Sequence, residues 1–216
     1  MKNKKRLFLI SACLLTAFVI WTAAVLYIDV LPIGPSGSSV GFASLNQAFH
    51  RLTGVHLNLY ILTDWLSLIP VGFAMGFAVL GLMQWIRRKS LLKVDRSILA
   101  LGGFYTLVMA AYVFFEMHVV NYRPVLIDGY LEASYPSSTT LLVLCIMPTA
   151  ILQLRSRIRQ TMLRRCITLL LAAFTALMVL VRLISGVHWL SDIIGGVLLS
   201  AGLVTLYCAV VRKQNE

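Results

Sequence analysis

The 216-residue chain is 59% hydrophobic, has a mean hydropathy of +0.86 and carries only 12% charged residues, about half the charged share of a soluble domain. That balance excludes a soluble enzyme and marks an integral membrane protein. The formal net charge of +11 does not indicate a nucleic-acid partner, because the basic residues fall in short clusters between apolar runs rather than on one surface.

A membrane span needs about 20 apolar residues, and six stretches qualify: 7–28, 59–86, 97–120, 137–154, 166–186 and 190–211. The expected fold is all-α, a polytopic six-helix bundle forming one domain over residues 1–216. The run from Leu7 to Ile28 exceeds the h-region of a signal peptide and lacks a clear cleavage site, so it reads as a retained span. Basic clusters alternate with bare connections. Lys2, Lys4, Lys5 and Arg6 lead, followed by Arg87, Arg88, Lys89, Lys93 and Arg96, then Arg155, Arg157, Arg159, Arg164 and Arg165, and finally Arg212 and Lys213. The positive-inside rule therefore places both termini and these loops in the cytoplasm of a plasma-membrane protein. Only Arg51, Arg123 and Arg182 are left for the outer side.

The first outer connection opens with a Gly/Pro/Ser-rich turn region, Pro32 to Ser39, and continues into a segment that places Leu45, Ala48, Phe49 and Leu52 on one helical face. Two readings fit a short amphipathic helix there: a lip guiding a lipid head group, or a cap packed on the bundle. His50 and His56 have no companion ligands at metal spacing, which favours solvated or locally hydrogen-bonded imidazoles. Asp64 reads as a hydrated interfacial carboxylate. Gly72 and Gly76, and again Gly195 and Gly196, suggest close helix contacts. Trp21, Trp65, Trp85 and Trp189 fall near span ends as interfacial anchors. Cys13, Cys145, Cys166 and Cys208 lie within or beside apolar runs, as small membrane-helix residues rather than metal ligands or disulfide partners.

Three outer segments carry unusual chemistry: E-M-H-V-V-N-Y-R-P from Glu116 to Pro124, Y-P-S-S-T-T from Tyr135 to Thr140, and R-L-I-S-G-V-H-W-L-S-D from Arg182 to Asp192. Ionisable groups at a membrane edge are costly and mark function by default. Topology brings Arg123, Ser137, Arg182, His188 and Asp192 to one surface. Two guanidiniums beside a histidine–aspartate pair suit a phosphoryl group, which they bind bidentately while stabilising transition-state charge. A helix beginning near His188 would set the Asp192 carboxylate on the imidazole's face, where it fixes the tautomer. Ser137, after a proline at an expected helix start, can help hold an anion.

In order and topology these segments resemble the type 2 phosphatidic acid phosphatase family of membrane lipid phosphatases, which is related to vanadium haloperoxidases. Its pattern is Lys-x6-Arg-Pro, then Pro-Ser-Gly-His, then Ser-Arg-x5-His-x3-Asp. The third motif is matched at Arg182, His188 and Asp192, with Val181 for the leading serine. The first is matched at Arg123 and Pro124, with Glu116 at the lysine position. The second keeps Pro136 and Ser137, with Ser138 for glycine and Thr139 for histidine. The resemblance implies attack of His188 on phosphorus, a phosphohistidine intermediate and its hydrolysis by water. Asp192 would orient the imidazole; Arg123 and Arg182, with Ser137, Ser138 and Thr139, would hold the phosphoryl oxygens. No cofactor is implied and no metal required, and the partners are a lipid phosphate and the bilayer, not nucleic acid.

The departures fall on the leaving-group side. In the family the second-motif histidine is the general acid, a role a threonine hydroxyl at 139 cannot fill at neutral pH and one worth about 10²–10⁴-fold. A phosphomonoester expels a poor alkoxide, whereas a diphosphate expels a phosphate that needs no immediate proton, so the expected substrate is an isoprenoid diphosphate such as undecaprenyl diphosphate, cleaved at the extracytoplasmic face. Glu116 either pairs with Arg123 or Arg182, or donates the missing proton if burial raises its pKa; His118 is another possible acid, on a different helix face. The alternatives are an impaired relative that binds or moves phospholipids, a lipid phosphotransferase and, with least support, a transporter.

Overall fold

The computed structural model describes residues 2–211; Arg212 and Lys213, counted above among the basic clusters, and the side chain of Lys2 lie outside the described residues. Among the described residues eight α-helices follow one another: α1 Lys2–Tyr27, α2 Ala43–Thr53, α3 Leu57–Leu66, α4 Leu68–Arg88, α5 Arg96–Met117, α6 Ser138–Arg157, α7 Thr161–Ile184 and α8 Leu190–Val211. Helices α3 and α4 run on as one span, so six helical stretches are long and apolar enough to cross a membrane, and the fold is the expected six-span bundle. The interruption at Ser67 has a local cause. Pro70 has no N–H to give the Leu66 carbonyl, and the Ser67 hydroxyl turns back to donate to the Asp64 carbonyl at 2.5 Å.

Helices α6 and α8 form the centre, each with about half of its most apolar stretch buried, whereas the other four spans face mostly outward. Gly202 lets α1 approach: a Cβ there would stand 2.7 Å from Leu15 Cδ2, and Ser11 Oγ donates to the Gly202 carbonyl at 2.9 Å. Gly195 likewise admits the Tyr135 ring, 2.6 Å from where its Cβ would be, and Gly196 packs on Thr140. Gly72 and Gly76 are not helix contacts. Nothing approaches within 4 Å of a Cβ at either, and both line an apolar groove of about 630 Å³ between α4 and α6.

Six antiparallel spans put the loops 28–56, 118–137 and 185–189 at one end, hereafter the site end, and the described basic clusters at the other. At the site end α2 is inverted relative to a soluble helix. Its polar face is the buried one: Asn46 Nδ2 donates to Ser191 Oγ at 2.9 Å, and His50 Nε2 is 3.1 Å from the Gly186 carbonyl with its ring against Trp189. Leu45 and Leu52 face outward, Leu52 at 82% exposure. The helix is thus both a cap on the bundle and an apolar face turned away from it. The His50 contact is tertiary, not local, whereas His56 Nε2 does pair locally with the Thr53 carbonyl at 3.0 Å. Trp65 and Trp85 are exposed as anchors should be, but Trp189 is 3% exposed and donates to the Tyr122 carbonyl at 2.8 Å, and Trp21 stacks on Phe42.

Candidate active site

Two loops build the site's floor. In the α5–α6 connection an antiparallel bridge joins Tyr122 to Ala133, with the Arg123 N–H donating to the Glu132 carbonyl at 3.0 Å and the Ser134 N–H to the Asn121 carbonyl at 2.9 Å. The fold-back delivers Arg123, Glu132 and Ser134 together. The α7–α8 connection turns at Gly186, whose φ of +68° favours glycine and whose Cβ, if present, would stand 1.9 Å from the Gly54 carbonyl oxygen. The His56 N–H donates to the Ser185 carbonyl at 2.9 Å, so the α2–α3 turn clamps the loop that presents His188.

His188 lies two residues ahead of α8 rather than within it. Its Nδ1 is 3.2 Å from the Ser134 carbonyl and 3.7 Å from Asp192 Oδ2. The carbonyl, not the carboxylate, is therefore the acceptor within hydrogen-bond reach, a correction to the sequence-based expectation. Both neighbours are acceptors. They require the proton on Nδ1, which leaves a lone pair on Nε2, and Nε2 is buried without a partner in the protein. Burial, aided by the Arg182 and Arg123 charges, holds the His188 pKa well below its ordinary 6.5, so the imidazole is neutral at physiological pH.

Asp192 serves α8 as well as His188. Helix α8 begins at Leu190, which makes Trp189 its N-cap and Asp192 its third residue; Asp192 Oδ2 reaches back to accept the Trp189 N–H at 3.0 Å, half of a capping box. The negative end of the side chain also sits at the positive end of the helix. Its other oxygen, Oδ1, accepts from Asn121 Nδ2 at 3.2 Å. Asn121, Asn46 and Ser191 form a buried polar network around it: Asn46 Oδ1 takes the Ser191 N–H at 3.1 Å, and Asn121 Nδ2 lies 3.4 Å from Ser191 Oγ.

The two arginines converge on one tyrosine. Arg182 and Arg123 place their guanidinium carbons 4.6 and 5.4 Å from the Tyr60 ring centroid, within cation–π range. Arg182, 1% exposed, donates to Thr63 Oγ1 at 3.1 Å and lies 3.6 Å from the exposed Asp64 carboxylate. Arg123 Nε is 3.0 Å from Glu132 Oε2. Glu116, expected as the partner of one of them, forms no ion pair among the described residues and is exposed rather than buried.

Ser137 is the N-cap of α6, fully buried, with its N–H on the Asp192 carbonyl at 3.2 Å and its hydroxyl unpartnered. Arg123 Nη1, Arg182 Nε, Thr140 Oγ1 and His188 Nε2 are likewise buried and unpartnered. Buried polar groups without a partner are rare in folded proteins unless a ligand or water uses them. A cavity of about 10 Å³, roughly the room one water needs, adjoins His188 and is lined also by Tyr112, Glu116, Ser134 and Ser138. Thr139 is buried in α6 and does not line it, so Ser138 supplies the hydroxyl there. His118 caps α5 through its N–H to the Phe114 carbonyl at 2.9 Å and stacks on the Phe114 ring, away from the cavity.

Six spans carry a buried histidine and two buried arginines at the end of the bundle where the loops gather. The family model of the PAP2 superfamily matches residues 120–216, the part of the chain that carries Arg123, Ser137, Arg182, His188 and Asp192. Glu116 lies ahead of the matched residues. The crystal structure of a transmembrane PAP2-type phosphatidylglycerolphosphate phosphatase from Bacillus subtilis is similar in fold, with a TM-score of 0.60 over 95% of this chain and 98% of that one at 17% sequence identity. No curated protein matches the sequence.

Tyr60, Thr63, Asn121, Glu132 and Ser134 were not among the residues predicted for the site. Only Asn121 carried a signal, as a polar residue two places before Arg123 in a motif already singled out.

Proposed function

We propose that the protein is a lipid phosphatase of the plasma membrane whose site faces the extracytoplasmic side and which cleaves an isoprenoid diphosphate, with undecaprenyl diphosphate as the reference substrate. The observation that carries this reading is the free lone pair on His188 Nε2, buried and unpartnered, on an imidazole whose Nδ1 faces only acceptors. His188 Nε2 attacks the terminal phosphorus, the bond from that phosphorus to the bridging oxygen breaks, the lipid monophosphate leaves with the electron pair, and a phosphohistidine remains. Asp192 stabilises the cationic imidazole, and Asn121 holds Asp192. Arg123, Arg182 and the Ser137 hydroxyl take the phosphoryl oxygens, and water then releases phosphate.

The preference for a diphosphate follows from Thr139, which is buried away from the cavity. With no imidazole at that position, the substrate whose leaving group is stable unprotonated loses least. The sidedness rests on the basic clusters at the far end of the bundle. The test is phosphate release by purified protein in detergent from an isoprenoid diphosphate, its monophosphate, phosphatidic acid and phosphatidylglycerolphosphate. Wild type is expected to favour the diphosphate and His188→Ala to release nothing. Equal rates for the two proteins would sink the assignment, and tight lipid-phosphate binding without turnover would show a binding protein instead. Transfer of the phosphoryl group to an added lipid acceptor would show a phosphotransferase.

A further inference from the structure

Trp189 is tied to the site twice, through its backbone and through its ring. Asp192 Oδ2 accepts its N–H at 3.0 Å, and its carbonyl accepts the Asp192 N–H at 3.1 Å. The main chain directly after His188 is thereby fixed to the first turn of α8. The indole, with the residue 3% exposed, reaches the α5–α6 connection and donates through Nε1 to the Tyr122 carbonyl at 2.8 Å. His50 of α2 packs against the same ring, with centroids 5.4 Å apart.

The acceptor matters because of what shares its peptide unit. The Tyr122 carbonyl and the Arg123 N–H belong to one planar group. The Glu132 carbonyl holds the N–H at 3.0 Å and the indole holds the carbonyl, so both edges of the peptide that leads into Arg123 are pinned. Opposite Tyr122 in the bridge stands Ala133, and the next residue, Ser134, presents its carbonyl to His188 Nδ1 at 3.2 Å. One place before Tyr122, Asn121 Nδ2 reaches Asp192 Oδ1, also at 3.2 Å. Those two contacts end on the imidazole and the carboxylate whose charge balance changes when a phosphohistidine forms. The indole bond is shorter, ends on neither group and keeps the same donor and acceptor throughout the reaction.

We propose that Trp189 is a positioning residue: through the Tyr122 carbonyl, its indole N–H fixes the spacing between Arg123 and His188 at which the phosphoryl group is transferred. The inference rests on the reading of His188 as nucleophile and Arg123 as phosphoryl ligand. A buried indole N–H ordinarily finds some acceptor; here the residue after the nucleophile has taken the peptide ahead of a phosphoryl-binding arginine. The fold-back itself does not need the indole, because the Tyr122–Ala133 bridge and the Arg123–Glu132 and Ser134–Asn121 backbone bonds are internal to it. Losing the indole bond therefore lets the fold-back shift against His188 without unfolding. A displacement of about 1 Å that originates away from the chemistry can cost about 10²-fold in rate.

Trp189→Phe keeps an aromatic ring against His50 and removes the N–H. With an isoprenoid diphosphate in detergent, its kcat should fall about 10–100-fold while KM moves by less than about threefold. Arg123→Gln should lose activity too, and the double variant should be little worse than Arg123→Gln alone, since a ring that acts through Arg123 then has nothing left to position. Orthovanadate affinity, read by calorimetry, should show the same non-additivity without any turnover. Losses that multiply in the double variant, or a Trp189→Phe kcat/KM within about twofold of wild type, overturn the inference. So does a lowered thermal midpoint with an unchanged kcat, which is what a purely structural indole would give. Should Trp189→Phe fail to fold, Trp189→benzothienylalanine, which keeps both fused rings and exchanges only the N–H for sulfur, takes its place in the cycle with the same outcomes. Phosphate release that survives His188→Ala with no phosphohistidine would remove the phosphatase reading while the orthovanadate cycle still decides Trp189. A phosphohistidine at His188 with multiplying losses would leave that reading standing and remove the positioning role alone.

Discussion

Glu132→Gln should make the site bind phosphate better. Arg123 Nε lies 3.0 Å from Glu132 Oε2, and the two side chains are 9% and 42% exposed. At that separation a bare pair at an effective dielectric of about 20 attracts by roughly 5 kcal/mol. The carboxylate, however, stands nearly half in water, and exposed pairs contribute about 0.2–1 kcal/mol once hydration and side-chain entropy are counted. Solvent screening wins, and about 1 kcal/mol is the most that a phosphoryl group must overcome to take Arg123 from Glu132. Removing that competition is worth up to about fivefold in affinity. Inhibition of phosphate release by orthovanadate and by inorganic phosphate measures it, with the thermal midpoint in detergent as a check on folding. Weaker or unchanged inhibition in Glu132→Gln would refute the assignment of Arg123 as a phosphoryl ligand held in reserve by Glu132.

Other outcomes follow from the same geometry. Asn121→Leu leaves Asp192 Oδ1 without its amide donor in a buried setting and should cost about 1.5–3 kcal/mol of stability, read by thermal unfolding, together with at least a severalfold slower phosphohistidine formation. Tyr60→Leu removes the ring under both guanidiniums and should weaken vanadate binding by about 0.5–2 kcal/mol, with Tyr60→Phe close to wild type. Because the His188 pKa lies well below 6.5, the acidic limb of kcat/KM due to His188 should fall below pH 6.5, and Arg123→Gln, which removes a positive charge, should move it upward. In linkage terms the neutral imidazole's contribution to stability is complete above the unfolded pKa of about 6.5 and is lost as pH falls from there through the folded value; His188→Gln should flatten that part of the stability profile. Gly186→Ala should unfold or inactivate the protein, since its Cβ would meet the Gly54 carbonyl at 1.9 Å, whereas Gly72→Ala, with nothing within 4 Å, should be neutral or gain about 0.5–1 kcal/mol.

The spans were legible because about 20 apolar residues in a row have few other fates, and the break at Ser67 was not, because Pro70 three places on does the work within an unbroken apolar run. His188, Asp192, Arg123 and Arg182 were legible as costly charges at a membrane edge. Their partners were hidden by sequence separation: Asn46 meets Ser191 across 145 residues and Arg182 meets Thr63 across 119, and no local pattern announces such pairs. The spacing from His188 to Asp192 suggested a direct hydrogen bond. Instead α8 starts after His188 and takes the carboxylate for its own N-terminus, leaving the Ser134 carbonyl as the nearer acceptor. Trp189 looked like an interfacial anchor because its indole follows the site histidine at a span end, yet the loop folds inward there and buries it.

If His188 is the nucleophile, the phosphoryl group passes through its imidazole. Rapid quench of purified protein with an isoprenoid diphosphate labelled in its terminal phosphate should trap acid-labile, base-stable phosphate on the peptide carrying His188, formed and discharged at rates matching turnover. That label is expected in wild type and none in His188→Ala. Phosphate release at the wild-type rate with no label on His188 would contradict it.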